Sequence, residues 1–148
     1  MRLSARSEYG LLALVDLTVG YGAAPVAARD LAETRGIPQA FLEQLLADLR
    51  RAGLVRATRG TRGGFTLGRS PAEITALDIV EALEGPIEPS VCTRASCGAG
   101  EHCAALSVWS DVSDSIRAAL GSFTLDTLAT RQASLDRTPL TCTSRKDA

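Results

Sequence analysis

Cys92, Cys97 and Cys103 stand close together with the spacing C-x4-C-x5-C, in a stretch that also holds His102, two prolines and two glycines. Thiolates are soft ligands that suit zinc and iron–sulfur clusters. Zinc sites usually pair their cysteines more closely and gather four nitrogen or sulfur donors. His102 directly precedes Cys103, an awkward position from which to bind the same ion. Three thiolates spread along a glycine-containing loop fit a larger iron–sulfur cluster, with one position left for another donor. On spacing alone, a zinc site or plain redox thiols stay open as alternatives. The fourth cysteine, Cys142, lies between Thr141 and Thr143 in a polar tail and reads as a free surface thiol.

The arginines point to a second chemistry. Residues 1–69 hold ten Arg against six acids, whereas residues 70–148 hold six basic groups against eleven acids. The stretch from Arg50 to Arg69 has six Arg and no acid. A local positive field on a chain of net charge −1 suggests one face that meets a polyanion, although an arginine-rich solvated surface has the same composition. No nucleophile–base pair, phosphate loop or dinucleotide fingerprint occurs, and the single His gives no basis for a hydrolytic triad, so the chain is not expected to be an enzyme. No signal peptide and no apolar run long enough for a membrane span is seen, which places the chain in the cytoplasm with no membrane partner. In that reducing compartment cysteines serve as metal ligands or redox thiols more often than as structural disulfides.

The elements that must position these groups follow from periodicity. Residues 4–19 carry Leu11, Leu12, Leu14, Val15 and Val19 at helical spacing, and Gly20, Gly22 and Pro25 end that helix. A short helix over Ala28–Arg35 is followed by Gly36-Ile37-Pro38, a helix stop and then a helix start. The next helix, from Gln39 to about Ala52, sets Leu42, Leu45, Leu46 and Leu49 on one face. Its other face carries Ala40, Glu43, Gln44, Ala47 and Arg51. A hairpin over residues 54–59 and 64–67, with Gly60-Thr61-Arg62-Gly63 at its tip, completes a winged helix-turn-helix.

Such a second helix fits the major groove of double-stranded DNA. Gln44 has the amide to read adenine, Glu43 the carboxylate to accept from cytosine, and Arg51 the reach for phosphate or guanine. Gln39 and Ala40 start the same helix, and the small Ala40 and Ala47 let it approach closely. Arg59 and Arg62 sit where a wing enters the flanking minor groove or clamps phosphates.

Beyond the wing, Ser70 with Glu73 and Thr75 with Asp78 form two capping signatures. Ile74 and Ile79 stand at staple positions of a helix that runs to Glu84. A long helix over residues 104–120 bears Val108, Trp109, Val112 and Ile116 along one side and is read as the homodimer contact. Thr124 caps a last helix through Leu135. The fold expected is mainly α with a small β-wing: a winged helix-turn-helix domain over 1–85, a cysteine loop over 86–103, dimerisation helices over 104–135 and a flexible tail over 136–148.

The order of these parts resembles the Rrf family of bacterial winged-helix transcription regulators, in its IscR/NsrR-like, cluster-binding branch. The resemblance is carried by Met1-Arg2-Leu3-Ser4, Leu42-Glu43-Gln44-Leu45, Leu49-Arg50-Arg51-Ala52-Gly53-Leu54-Val55, Arg59-Gly60 with Gly63-Gly64-Phe65, and the cysteine triplet followed by Trp109. It covers roughly residues 1–135. It implies a homodimer with crossed long helices that binds promoter DNA. It also implies a 2Fe–2S or 4Fe–4S cluster on Cys92, Cys97 and Cys103, and a signal in redox state, nitric oxide or cluster supply.

Glu43 and Arg59 match the positions at which the family reads bases. Two departures stand out. The first cysteine gap is one residue shorter than in many relatives, and Ala104-Ala105-Leu106-Ser107 stands where IscR-type members carry a His ligand. The fourth ligand is therefore open. Cluster-bearing relatives can place an acidic ligand near the start of the first helix of the other subunit, which nominates Glu8. Glu101 and His102 are the loop's own alternatives, and Glu8 would also serve by complementing the positive end of its helix.

Overall fold

Helix α1, Ala5–Val19, begins at Ser4, whose hydroxyl accepts a hydrogen bond of 3.1 Å from the Arg6 amide. Ala13, Leu14, Val15 and Leu17 are buried, and so are Gly10 and Ser7, so α1 hides most of its circumference. A helix that is apolar on most sides needs cover on most sides. The computed structural model, which describes residues 4–88 and 104–136, supplies that cover from four other helices and the second strand. Gly10 marks the closest approach of helix α4, Ala76–Glu84: a Cβ on Gly10 would lie 2.3 Å from Leu83 Cδ1.

Helices α2, Ala28–Arg35, and α3, Gln39–Arg51, form the helix-turn-helix. Gly36 stops α2 with φ 63°, a left-handed conformation that costs glycine little. The Ile37 amide then donates back to Ala32 O at 3.0 Å, and the Ile37 side chain is buried between the two helices. Leu42, Leu45, Leu46 and Leu49 of α3 are each 0 % exposed, as their spacing predicts. Tyr9 of α1 meets Phe41 of α3 edge to face, with ring centroids 6.1 Å apart.

The wing is the antiparallel pair β1, Val55–Thr58, and β2, Gly64–Leu67, in the register Val55↔Leu67 to Thr58↔Gly64. The first strand is one residue shorter at each end than its sequence suggests. The wing is not free-standing. Val26, in the link between α1 and α2, donates to Phe65 O at 3.0 Å and accepts from Phe65 N at 2.8 Å. Gly64 lies so close to Val26 that a Cβ there would sit 2.4 Å from Val26 O.

Both capping boxes form. Thr75 N donates to Asp78 Oδ2 at 2.8 Å, and Asp78 N donates to Thr75 Oγ1 at 3.2 Å. Ser70 N donates to Glu73 Oε2 at 3.3 Å around a 3-10 turn, Pro71–Glu73. Ile74 and Ile79 are fully buried on either side of the Thr75 cap, as a hydrophobic staple requires.

Helix α5, Ala104–Gly121, is long, and Leu106 is its one buried residue. Helix α6, Leu125–Asp136, turns back. Ala76 N donates to Phe123 O at 2.8 Å and Leu125 N to Ile74 O at 2.9 Å. Leu125, 0 % exposed, joins the same core as α1 and α3, with Leu128 and Ala129 packed against it. In space α6 therefore lies with the winged helix, although in sequence it follows α5. Cutting Leu125 to alanine should lower stability by about 2–5 kcal/mol, the range for a buried leucine. Urea denaturation followed by circular dichroism checks this. A change no larger than that of an exposed Thr130→Ala control would show α6 to be peripheral.

Candidate nucleic-acid interface

The leucine stripe of α3 consumes one side of the helix and thereby presents the other. Gln39, Ala40, Glu43, Gln44, Ala47, Arg50 and Arg51 are all exposed. No side chain caps the first turn of α3, where Pro38 holds the N-cap position, so its leading amides face outward without a partner side chain. Gln39 Nε2 donates to Glu43 Oε1 at 2.8 Å, one turn on. Two of the residues nominated from sequence are thus one hydrogen-bonded unit.

Arg51 is not free. Its guanidinium donates to Asp48, and the other oxygen of that carboxylate accepts from Arg6 Nη2 of α1 at 2.5 Å. The hydrogen bond from Arg51 first, and that from Arg6 next, hold the Asp48 carboxyl below its ordinary range against the opposing effect of burial. The sequence reading missed Asp48. Its spacing of three residues from Arg51 is the one local signal that could have found it.

The wing adds cations without counterions. Arg56 on β1 and Arg59 and Arg62 around the tip are exposed, and none of them has an ion-pair partner among the described residues. The tip closes through Gly63 N donating to Gly60 O at 2.9 Å, and a Cβ on Gly63 would lie 2.3 Å from Thr58 O. Arg56 was not nominated from sequence. Alternation along β1, with Val55 buried beside it, was the available signal.

The second site is described only in part. Cys92, Cys97, Cys103 and Cys142, with Glu101 and His102, lie outside the described residues. Among the described residues no three His, Cys, Asp or Glu side chains gather as a metal site. Glu8 is exposed and lines a groove of about 310 Å³ with Ser4, Ser7, Leu11, Ala76, Val80 and Leu120.

Two carboxylates stand at the positive start of α1: Glu8 within its first turn and Glu84 from another helix. Glu84, at the end of α4, accepts from the hydroxyls of Ser4 and Ser7, the latter at 2.7 Å. The Ser4 hydroxyl, followed by the hydroxyl and amide of Ser7, holds the Glu84 carboxyl below its ordinary range. Farther along, α5 exposes Val108 at 53 %, Trp109 at 40 % and Val112 at 37 %, whereas Ile116 is half-buried within its own chain. No helix among the described residues is long and apolar enough to cross a membrane.

Comparison with known proteins agrees with this arrangement. Residues 3–131 match the Rrf2 family, described as an iron-dependent transcriptional regulator. The chain is 37 % identical over 129 residues to the HTH-type transcriptional regulator CymR of Bacillus subtilis, covering 87 % of this chain and 90 % of that one. It is 34 % identical over 137 residues to the regulator IscR of Photorhabdus laumondii, covering 92 % and 84 %. The solved structure of B. subtilis CymR, described as a global cysteine regulator, superposes with a TM-score of 0.75 over 88 % of this chain and 98 % of that one. That of T. potens IscR superposes with a TM-score of 0.74 at 34 % identity, over 95 % and 93 %.

An unpaired wing arginine that meets a phosphate displaces counterions. Arg59→Ala and Arg62→Ala should each flatten the log–log salt dependence of duplex binding by about 0.9. Glu43→Ala should change which sequences are preferred. Fluorescence anisotropy across a salt series reads all three. Unaltered affinity and slope in both arginine variants would remove the wing from the interface.

Proposed function

This chain belongs to the Rrf2 family of transcriptional regulators and is not an enzyme, and from that premise we propose that it binds double-stranded promoter DNA as a homodimer under the control of an iron–sulfur cluster. The observation that carries the DNA reading is the exposed face of α3 beside a wing whose arginines have no ion-pair partner among the described residues. Gln39, Ala40, Glu43 and Gln44 meet base edges, and Arg59 and Arg62 hold the backbone. DNA as the partner places the protein in the cytoplasm.

The homodimer rests on α5. Its exposed Val108, Trp109 and Val112 form an apolar strip that no other part of the described chain covers, and a second copy of the helix matches it by two-fold symmetry. Palindromic DNA sites suit such a dimer.

The cluster reading rests on the donor set. Cys92, Cys97 and Cys103 would hold the cluster within the segment 86–103, and the tail 136–148, with Cys142, would take no part. When bound, the cluster supplies a group sensitive to oxidation, to nitric oxide and to iron–sulfur supply. Glu8 of the partner subunit is proposed as the fourth ligand. Glu84 shares the positive end of α1 with Glu8, and the Glu8 carboxylate lines the groove with no ion pair among the described residues. A carboxylate oxygen is a harder donor than a thiolate and holds iron less firmly, which suits a position where a signal acts. A second reading, in which the cysteines work as a thiol or zinc switch, is favoured by the likeness to CymR at identity no lower than to IscR.

Anaerobic purification separates the two readings. The cluster predicts visible charge-transfer absorption with iron and acid-labile sulfide, retained in Cys142→Ala and lost in Cys92→Ala, Cys97→Ala and Cys103→Ala. Zinc or bare thiols in the native protein would establish the second reading. Glu8→Ala should shift the spectrum and His102→Ala should not; the reverse pattern would move the ligand into the loop. For the interface, Val112→Glu buries an unpaired charge at the strip, and sedimentation should show a monomer. A clean dimer with native DNA affinity would place the interface elsewhere.

A further inference from the structure

Asp48 sits where an acid works against binding a polyanion. It lies on α3, next to the stretch from Arg50 to Arg69 that otherwise contains no acid. Its side chain is 13 % exposed and is anchored to α1 through Arg6, whose own side chain is 31 % exposed. Arg51 is the loose partner, with a side chain 76 % exposed. The three residues carry two positive charges and one negative. The carboxylate is therefore fixed in the protein, while the guanidinium it holds lies at the surface.

We infer that Asp48 sets the charge with which α3 meets DNA, holding Arg51 in an ion pair so that it does not act as a free phosphate-binding cation on non-target duplex. The inference rests on the DNA-binding reading above. A phosphate must compete with the carboxylate for Arg51. The carboxylate is largely enclosed and fixed while the guanidinium is open to water, so Arg51 stays on Asp48 rather than on the phosphates of random duplex. Non-specific binding is almost wholly electrostatic, and removing one cation from it lowers affinity for random sequence. Contacts from Gln39, Glu43 and Gln44 to base edges do not pass through Arg51, so the margin between target and random DNA widens. Arg59 and Arg62 have no such partner among the described residues and act as the unconditional cations of the interface.

Asp48→Asn tests this because it keeps the shape and removes the charge. The full-length protein, purified anaerobically, is titrated with a random-sequence DNA duplex over a salt series. The variant should bind more tightly at low salt, with a log–log slope steeper by about 0.9, so that between about 50 and 200 mM salt it loses about three- to fourfold more affinity than the native protein. Arg51→Ala should leave the native slope unchanged and cancel the gain in the Asp48→Asn background. Unchanged or weaker binding by Asp48→Asn overturns the inference. So does a native slope that falls by a full contact in Arg51→Ala, since Arg51 would then already be on the phosphate. This second result decides the matter even if Asp48→Asn fails to fold. A native protein with no salt-dependent binding would overturn the DNA reading itself, and this inference with it.

Discussion

Helix α1 must be covered on nearly every side, and the rest of the molecule is arranged to cover it. The crossing at Gly10 lets α4 come close enough for Leu83 to lie against the α1 backbone. Apolar contacts of this kind hold the assembly, since a fully buried Leu or Ile side chain contributes about 1.5–3 kcal/mol and an exposed ion pair about 0–1 kcal/mol. The polar ties have a different role. Asp16 to Arg35, Arg6 to Asp48, and Ser4 and Ser7 to Glu84 join α1 to α2, α3 and α4 in turn. They tie α1 to each neighbour at defined points, while the leucine stripe of α3 sets which side of that helix faces out.

Much of this was legible because it is local. The leucine spacing of α3 predicts its buried face, and the outward face follows by exclusion. Gly36-Ile37-Pro38 marks the turn, and the pairs Ser70–Glu73 and Thr75–Asp78 mark two helix starts; each signal spans four residues or fewer. What was not legible is long-range. Nothing near Val26 announces that it will pair with Phe65, and nothing near Leu125 says that it will complete the core around α1. Arg51 shows the same limit within the candidate site. Its type and face are readable, but its engagement depends on Asp48, which Arg6 holds from another helix. For the cysteines the donor chemistry is readable from residue type, while their spatial arrangement is a tertiary matter.

The joining of α4 to α5 gives the proposed sensor its mechanical setting. The cysteine segment leaves α4 one residue after Glu84, which grips the start of α1, and it enters α5 directly after Cys103. Arg117 of α5 reaches back to Glu81 of α4, which ties the two helices together. In the proposed function, a change at the cysteines therefore acts on the start of the dimer helix and on the end of a helix that holds α1. Helix α4 packs on both α1 and α3, which links it to the orientation of α3.

The return of α6 to the core has a consequence for how the chain is made. Its contact with α1 joins segments separated by more than a hundred residues, from Val19 to Leu125. As the chain emerges from the ribosome, the wing and α3 appear while one flank of α1 is still bare. Leu125 then closes that flank. The entropy lost in closing so long a loop grows only with the logarithm of its length, so the thermodynamic penalty is modest. The kinetic effect is larger, because distant contacts slow folding. The nascent DNA-reading half therefore waits, with apolar surface open to water, until α6, the last helix among the described residues, has been synthesised.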